Sequence, residues 1–427
     1  MKTIKYKGID ETIYYEKLPN GLEIYMYPSD TAKNFYLTFN TRFGSMDTEF
    51  KLESDKKFTT IPHGTAHFLE HQMFQEDGEE NAFQKYAKLG SSINAFTTYN
   101  LTCYEVIASD NFKENLELLL DYVQNPVFKS ASVSKEKNII KEEIKMYDNN
   151  PNAKSNFGLE YNLNNKDNHK YLISGTEEDI KRITPEILEN TYDVFYHPSN
   201  MFLVLSGRFK PLEALGIIKE NQNKKDFKES YKIIRKRPKE PLKVSNPYES
   251  INLSVTIPKI RMAYKLDKKS FKGYSDLELR IYLDTILTIK FGSTSDILEH
   301  LTDSNLITWD IYTSRSIRDD YILITLGFES DYPSEVIDLI REELSNIKIT
   351  KEEINRIKKY SISNFIFHFN DNISIAEDIQ DDIISSNKIE TDIMDEYNNL
   401  NVKDANVVAS NINLDNECIY IVDKLND

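Results

Sequence analysis

The residues best able to do chemistry stand close together: His67, Phe68, Leu69, Glu70 and His71. His67 and His71 are four apart, so on a helix their imidazoles project from one face a turn apart, a spacing that can grip one zinc ion. Glu70 borders that face. Beside a metal-held water it would take a proton as general base, while zinc acidifies the water and polarises a carbonyl. The bare pattern arises by chance in about one chain of this length in a hundred. The competing reading is an exposed helix carrying a polar stripe. Phe68 and Leu69 interleave with the polar residues, so the helix is expected to be buried, and buried histidines beside a carboxylate need a partner that a metal supplies. His63, just before Gly64 at the helix entry, is given a structural role.

A hydrolytic zinc site needs a third protein ligand that leaves one position open for water. The stretch 133–147 reads as a helix with Ile140, Ile144 and Tyr147 on its apolar side. Glu136 and Glu143 are seven apart and fall on that same side, whereas Lys141 and Glu142 point elsewhere. Two carboxylates on an inward stripe are costly unless something cationic meets them; Glu142 is solvated at little cost. Glu143 is therefore the expected third ligand, and Glu136 the carboxylate that orients a ligand histidine.

These side chains must be positioned by a sheet and its helices. Residues 22–27 and 35–40 alternate with period two and are rich in aromatics, as strands of a half-buried sheet do. A helix is expected from Pro62 through His71, others over 81–89, stopped by Gly90, and over 112–123, and a pair of strands over 92–108. The fold class is α+β, with helices packed on one face of a largely antiparallel sheet. The stretch 219–245 is basic, carries Pro238 and Pro241, and reads as an exposed linker. Beyond it, strand-like 261–266, helical 277–289 and strand-like 307–312 and 321–328 repeat the grammar of the first part without its histidines. Two similar halves are expected, 1–218 with the metal and 246–427 without it, joined by the linker.

With 427 residues, 40% hydrophobic and 29% charged, the chain has apolar material for two or three domains. The net charge of −16 argues against nucleic acid and anionic membrane as partners. Cys103 and Cys418 are far apart in apolar runs and read as buried free thiols, which fits a reducing compartment. No export signal or spanning segment is visible, and a cytoplasmic location is expected.

The run His67 to His71 preceded by Gly64-Thr65-Ala66 and followed by Glu136 and Glu143 resembles the pitrilysin/insulinase family of metallopeptidases, whose reversed H-x-x-E-H order marks the inverted zincins. Further landmarks agree: the run 90–97, Ser174-Gly175-Thr176 with Asp179-Ile180, and the run 195–201. The resemblance covers about residues 15 to 210 strongly and is similar to bacterial cytoplasmic insulinase-like peptidases of half the insulin-degrading-enzyme length. It implies one zinc per chain held by His67, His71 and Glu143, Glu70 as base, Glu136 as supporting carboxylate, and Asn94, Ala95 and Phe96 on an edge strand that pairs with an extended peptide. Such a strand binds backbone through unpaired N–H and C=O groups. One departure stands out. Active members carry in the second half an Arg followed seven residues later by a Tyr, which hold the substrate carbonyl; here Thr302 and Trp309 occupy those places.

The expected function is zinc-dependent endopeptidase action on extended or unfolded peptides, as the catalytic subunit of a heterodimer with a related chain that lacks the zinc motif and supplies the missing Arg and Tyr. A homodimer is the alternative assembly. Two other classes compete: a non-catalytic assembly or peptide-binding subunit on the same fold, which has no need for Glu70, and a zinc hydrolase for small molecules, which needs a compact pocket rather than an edge strand.

Overall fold

A computed structural model of the chain describes residues 1–75 and 81–425. The first part of the chain forms β1 (Lys2–Lys5), β2 (Thr12–Lys17), β3 (Glu23–Pro28), β4 (Phe35–Thr41), β5 (Glu49–Leu52), β6 (Thr59–Thr60), α1 (Thr65–Met73), α2 (Ala82–Lys88), β7 (Ser92–Thr97), β8 (Thr102–Ala108), α3 (Phe112–Gln124), α4 (Ser130–Asp148), α5 (Pro151–Leu163), α6 (Glu177–Arg182), α7 (Pro185–Phe195), β9 (Met201–Gly207), α8 (Pro211–Asn223) and β10 (Ile233–Arg235). The remainder forms β11 (Tyr248–Leu253), β12 (Lys259–Asp267), α9 (Asp276–Phe291), α10 (Asp296–Asp303), β13 (Tyr312–Ile317), β14 (Tyr321–Glu329), α11 (Pro333–Ser345), α12 (Lys351–His368), α13 (Asn372–Ser386), α14 (Ile393–Asn399), α15 (Val402–Ser410) and β15 (Glu417–Lys424). No helix among the described residues is long and apolar enough to cross a membrane.

Two compact units result, and neither is continuous in sequence. One contains Met1–Ile144, Leu172–Arg237 and Ile366–Thr391; the other contains Lys145–Tyr171, Pro238–Phe365 and the chain from Asp392 onward. The stretch 219–245, expected to be an exposed linker, carries the end of α8 and also β10, which pairs antiparallel with β5.

The first unit is built on a seven-stranded sheet in the order β1-β2-β3-β9-β4-β8-β7. Alternation in β4 sends Phe35, Leu37 and Phe39 into the main core, where they meet Phe68, Leu69, Leu116 and Leu119 from the helices. The other face of β4, with Thr38 and Asn40, is also buried, because α13 returns from late in the chain and Gln380 donates to Thr38 Oγ1 at 2.8 Å and Asn40 Oδ1 at 3.1 Å. Helices thus cover this strand on a second face in addition to the expected one.

The second unit holds a five-stranded sheet, β11-β15-β12-β14-β13. Its strand order and directions repeat β3-β9-β4-β8-β7 of the first: the first pair is parallel and the other pairs are antiparallel in both. The expected duplication is therefore visible in the topology. Here Ile260, Met262, Tyr264 and Leu266 face one core, while Ala263 and Tyr420 face α5, which comes from the first part of the chain. Gly158 lets that helix lie down on the sheet, since a Cβ there would stand 2.1 Å from the Tyr420 ring.

Three local expectations change. The strand placed at 307–312 forms instead at Tyr312–Ile317, because Leu306 and Ile307 are buried in the connection after α10 and anchor that turn rather than extend it. The helix placed from Pro62 begins at Thr65: Gly64 is its cap at φ 81°, and the Pro62 carbonyl accepts from the Thr65 hydroxyl at 2.7 Å. Tyr147, expected on the apolar side of α4, is exposed.

Candidate metal centre

The nine-residue helix α1 is held by its apolar side: Phe68 and Leu69 are wholly buried and Ala66 and Met73 nearly so. Its entry is fixed by two glycines that approach each other's backbone. A Cβ on Gly64 would lie 2.2 Å from the Ser174 carbonyl oxygen, and one on Gly175 would lie 2.6 Å from that of His63; both have positive φ, open to glycine without strain. The sequence landmark at 174–176 is thus a clamp on the start of the histidine helix. Thr176 and Asp179 cap α6 reciprocally, which steadies the clamp.

Helix α4 brings the carboxylates. Glu136, Ile140 and Ile144 are buried on one side of it and Glu142 is exposed, as the spacing predicts. Glu143 faces both histidines, with His67 Nε2 at 3.6 Å and His71 Nε2 at 3.3 Å. One donor atom from each of His67, His71 and Glu143 lies within 4.8 Å of the others. Glu136 accepts at 2.9 Å from His71 Nδ1, and its other oxygen accepts from Gln75 Nε2 at 3.2 Å. Glu136 is therefore placed behind His71 and outside the three converging donors.

The electrostatics follow from that arrangement. Burial, reinforced by the neighbouring His71, pushes His67 down to about 4. Burial also opposes charge on His71, but hydrogen bonds to Glu136 and Glu143 outweigh it and push this histidine up to about 10. The two carboxylates that flank His71, Glu136 and Glu143, favour its protonated form. His67 fares worse: Nδ1 is buried without a hydrogen-bond partner among the described residues, and Nε2 stands beyond hydrogen-bond reach of Glu143. A divalent cation would give Nε2 the partner that Glu143 at 3.6 Å does not supply, whereas the need of Nδ1 is separate and is not met by a metal at Nε2. Two imidazoles and one carboxylate are also a donor set suited to zinc, with a position left for water.

Glu70 sits on the same helix, nearly buried, and burial raises its carboxyl above the ordinary range while the Thr97 hydroxyl works against that shift. Thr97 Oγ1 donates to Glu70 Oε2 at 2.6 Å. Asn94, Ala95 and Phe96 lie on β7, the edge strand of the sheet, whose outer side pairs with no other strand among the described residues. Asn94 Nδ2 donates to Glu105 Oε1 at 3.1 Å, on the face opposite Ala95 and Thr97. Sequence reasoning missed Thr97 and Gln75. The signal for Thr97 was available: period two puts it on the same side as Ala95, toward the helices. In the second unit, Thr302 spends its hydroxyl on the Leu298 carbonyl within α10, and Trp309 is 71% exposed.

Comparison with known proteins bears on both parts of the chain. The family model described as Insulinase (Peptidase family M16) matches residues 59–176, and the one described as Peptidase M16 inactive domain matches residues 182–360. A Bacillus subtilis protein named as uncharacterized zinc protease YmfH is 34% identical over 369 residues, covering 86% of either chain. Among solved structures, one from Alicyclobacillus acidocaldarius described as M16-like superposes with a TM-score of 0.90 at 26% identity, over 97% of this chain and 98% of that one. A Helicobacter pylori protease superposes at 0.82 and 18% identity, over 97% and 99%, which speaks to the fold alone.

Proposed function

The chain belongs to the M16 family of metallopeptidases, the insulinase family, and from that premise we propose that it is a zinc-dependent endopeptidase for extended or unfolded peptides, acting as the catalytic subunit of a heterodimer. The observation that carries this reading is the convergence of His67, His71 and Glu143 within 4.8 Å, with Glu70 tied to the end of a strand whose outer side pairs with no other strand among the described residues. His67, His71 and Glu143 would hold one zinc ion, which when bound acidifies water and polarises the scissile carbonyl. Glu70 would accept a proton from a water beside it and pass it to the leaving amine. Glu136 holds the Nδ1 proton of His71, which leaves the Nε2 lone pair for the metal. Along Ser92–Thr97, the peptide's N–H and C=O groups pair with β7, giving affinity with little demand on side chains.

Thr302 and Trp309 support the heterodimer. Neither offers a guanidinium or a phenol for the charge that develops on the carbonyl oxygen, so a related chain carrying the Arg and Tyr would supply those donors. The same two residues, with the match of 182–360 to a domain described as inactive, favour a second reading as a non-catalytic assembly subunit. The deciding experiment is zinc analysis and peptide cleavage by this chain alone and with the partner recovered from its native host. Stoichiometric zinc, poor cleavage alone and restored cleavage with the partner support the proposal. Robust hydrolysis by the lone chain refutes the heterodimer, and a chain that purifies without zinc and stays inert beside its partner refutes the peptidase.

A further inference from the structure

Glu70 is nearly buried, and the hydrogen bond it makes among the described residues comes from Thr97, at 2.6 Å. Thr97 is the last residue of β7, where it pairs with Thr102 across the turn 98–101. That turn is fixed from two sides. Inside it, Thr98 Oγ1 accepts the Leu101 N–H at 3.1 Å and the Thr98 N–H reaches the Leu101 carbonyl at 2.7 Å. Outside it, the Ser45 and Met46 N–H groups donate to the Thr98 and Tyr99 carbonyls at 3.1 and 2.9 Å, and Gly44 lies so close that a Cβ would stand 2.4 Å from the Tyr99 backbone. The Thr97 hydroxyl is thus delivered to the carboxylate by a braced strand end.

We propose that Thr97 is the positioning residue of the catalytic base: its hydroxyl occupies Glu70 Oε2, fixes the carboxylate's rotation, and leaves Oε1 to receive the proton of the attacking water. This rests on the peptidase reading above and adds a coupling to it. The strand that would carry the peptide backbone ends in the residue that aims the base, so pairing at β7 and alignment of Glu70 share one rigid support. A threonine that served only the fold would be indifferent to turnover once the protein is folded and loaded.

The test compares Thr97→Val, which keeps the shape and removes the donor, with Thr97→Ser, which keeps the donor. In the zinc-loaded complex, Thr97→Val should lower kcat by about 10- to 100-fold, as loss of an orienting hydrogen bond does, with KM and zinc content unchanged, and Thr97→Ser should recover most of kcat. Glu70→Gln is measured alongside. Thr97→Val at parental kcat while Glu70→Gln is inactive overturns the inference and spares the base; Glu70→Gln at parental kcat overturns the base reading, and a parent complex without turnover removes the reading and the inference together. A measurement independent of activity uses the metal-free chain. Thr97→Val should lower its unfolding midpoint by about 2–4 °C and should do so far less in a Glu70→Ala background, where the hydroxyl has lost its acceptor. An equal shift in both backgrounds shows that the two side chains are not coupled and overturns the proposal.

Discussion

Replacing Glu136 by Gln tests the electrostatics of the centre without removing a ligand. Glu136 is almost wholly buried and accepts from His71 Nδ1 at 2.9 Å and from Gln75 Nε2 at 3.2 Å. The amide has the same shape and can still accept from His71, and Gln75 can rotate to offer its carbonyl to the new NH2 group. What disappears is the charge on the acceptor. A hydrogen bond to a charged group is worth about 1.5–3 kcal/mol and a neutral one about 0.5–1.5 kcal/mol, so the loss is about 1–1.5 kcal/mol. With tenfold in affinity for about 1.4 kcal/mol, zinc should bind the deprotonated centre about five- to twelvefold more weakly, a loss offset at lower pH because the variant also loosens the proton that His71 holds in the metal-free chain. Competition against a chromophoric chelator over a pH series, with proton competition at His71 taken into account, measures this. Parental affinity in Glu136→Gln would refute the argument, for it would mean that the carboxylate behind His71 contributes nothing to the imidazole's strength as a ligand. Circular dichroism of the metal-free variant separates a local effect from misfolding.

Glu70→Gln should retain zinc, because both imidazoles and Glu143 are untouched, yet lower peptide hydrolysis by about 10²–10⁴-fold; normal turnover would refute its role as base. Glu143→Gln should lose far more zinc than Glu142→Gln, since Glu143 faces both histidines and Glu142 faces solvent; equal metal content in the two would mean that another carboxylate serves. Gly64→Ala should destabilise the first unit by at least the cost of a left-handed residue, about 1–2 kcal/mol, plus displacement of the Ser174 carbonyl 2.2 Å from the new methyl. Its unfolding midpoint should fall, and an unchanged midpoint would show that the clamp on α1 is loose.

The chemistry of the centre was legible in the sequence because it is written in helical spacing. The four-residue step from His67 to His71 and the seven-residue step from Glu136 to Glu143 are properties of one helix each, and the interleaved Phe68, Leu69, Ile140 and Ile144 say which side of each helix turns inward. Period-two runs likewise located β3 and β4, and the pair of strands read over 92–108 forms β7 and β8, though the run at 307–312 failed because buried Leu306 and Ile307 anchor a turn, and apolar content alone does not distinguish the two. Other features belong to no local pattern. That Thr97 meets Glu70 depends on where the last residue of β7 abuts α1, and that Gly64 meets Gly175 depends on a loop more than a hundred residues later. The placement of α5 and α13, each on a sheet whose strands come from the other part of the chain, depends on which buried faces remain to be covered after the strands have paired. Residue types and short spacings determined which atoms can bind a metal and move a proton; tertiary packing decided which distant hydroxyl aims the base and which helix closes each sheet, because those contacts are selected by burial across the whole unit rather than by the backbone periodicity of any one segment.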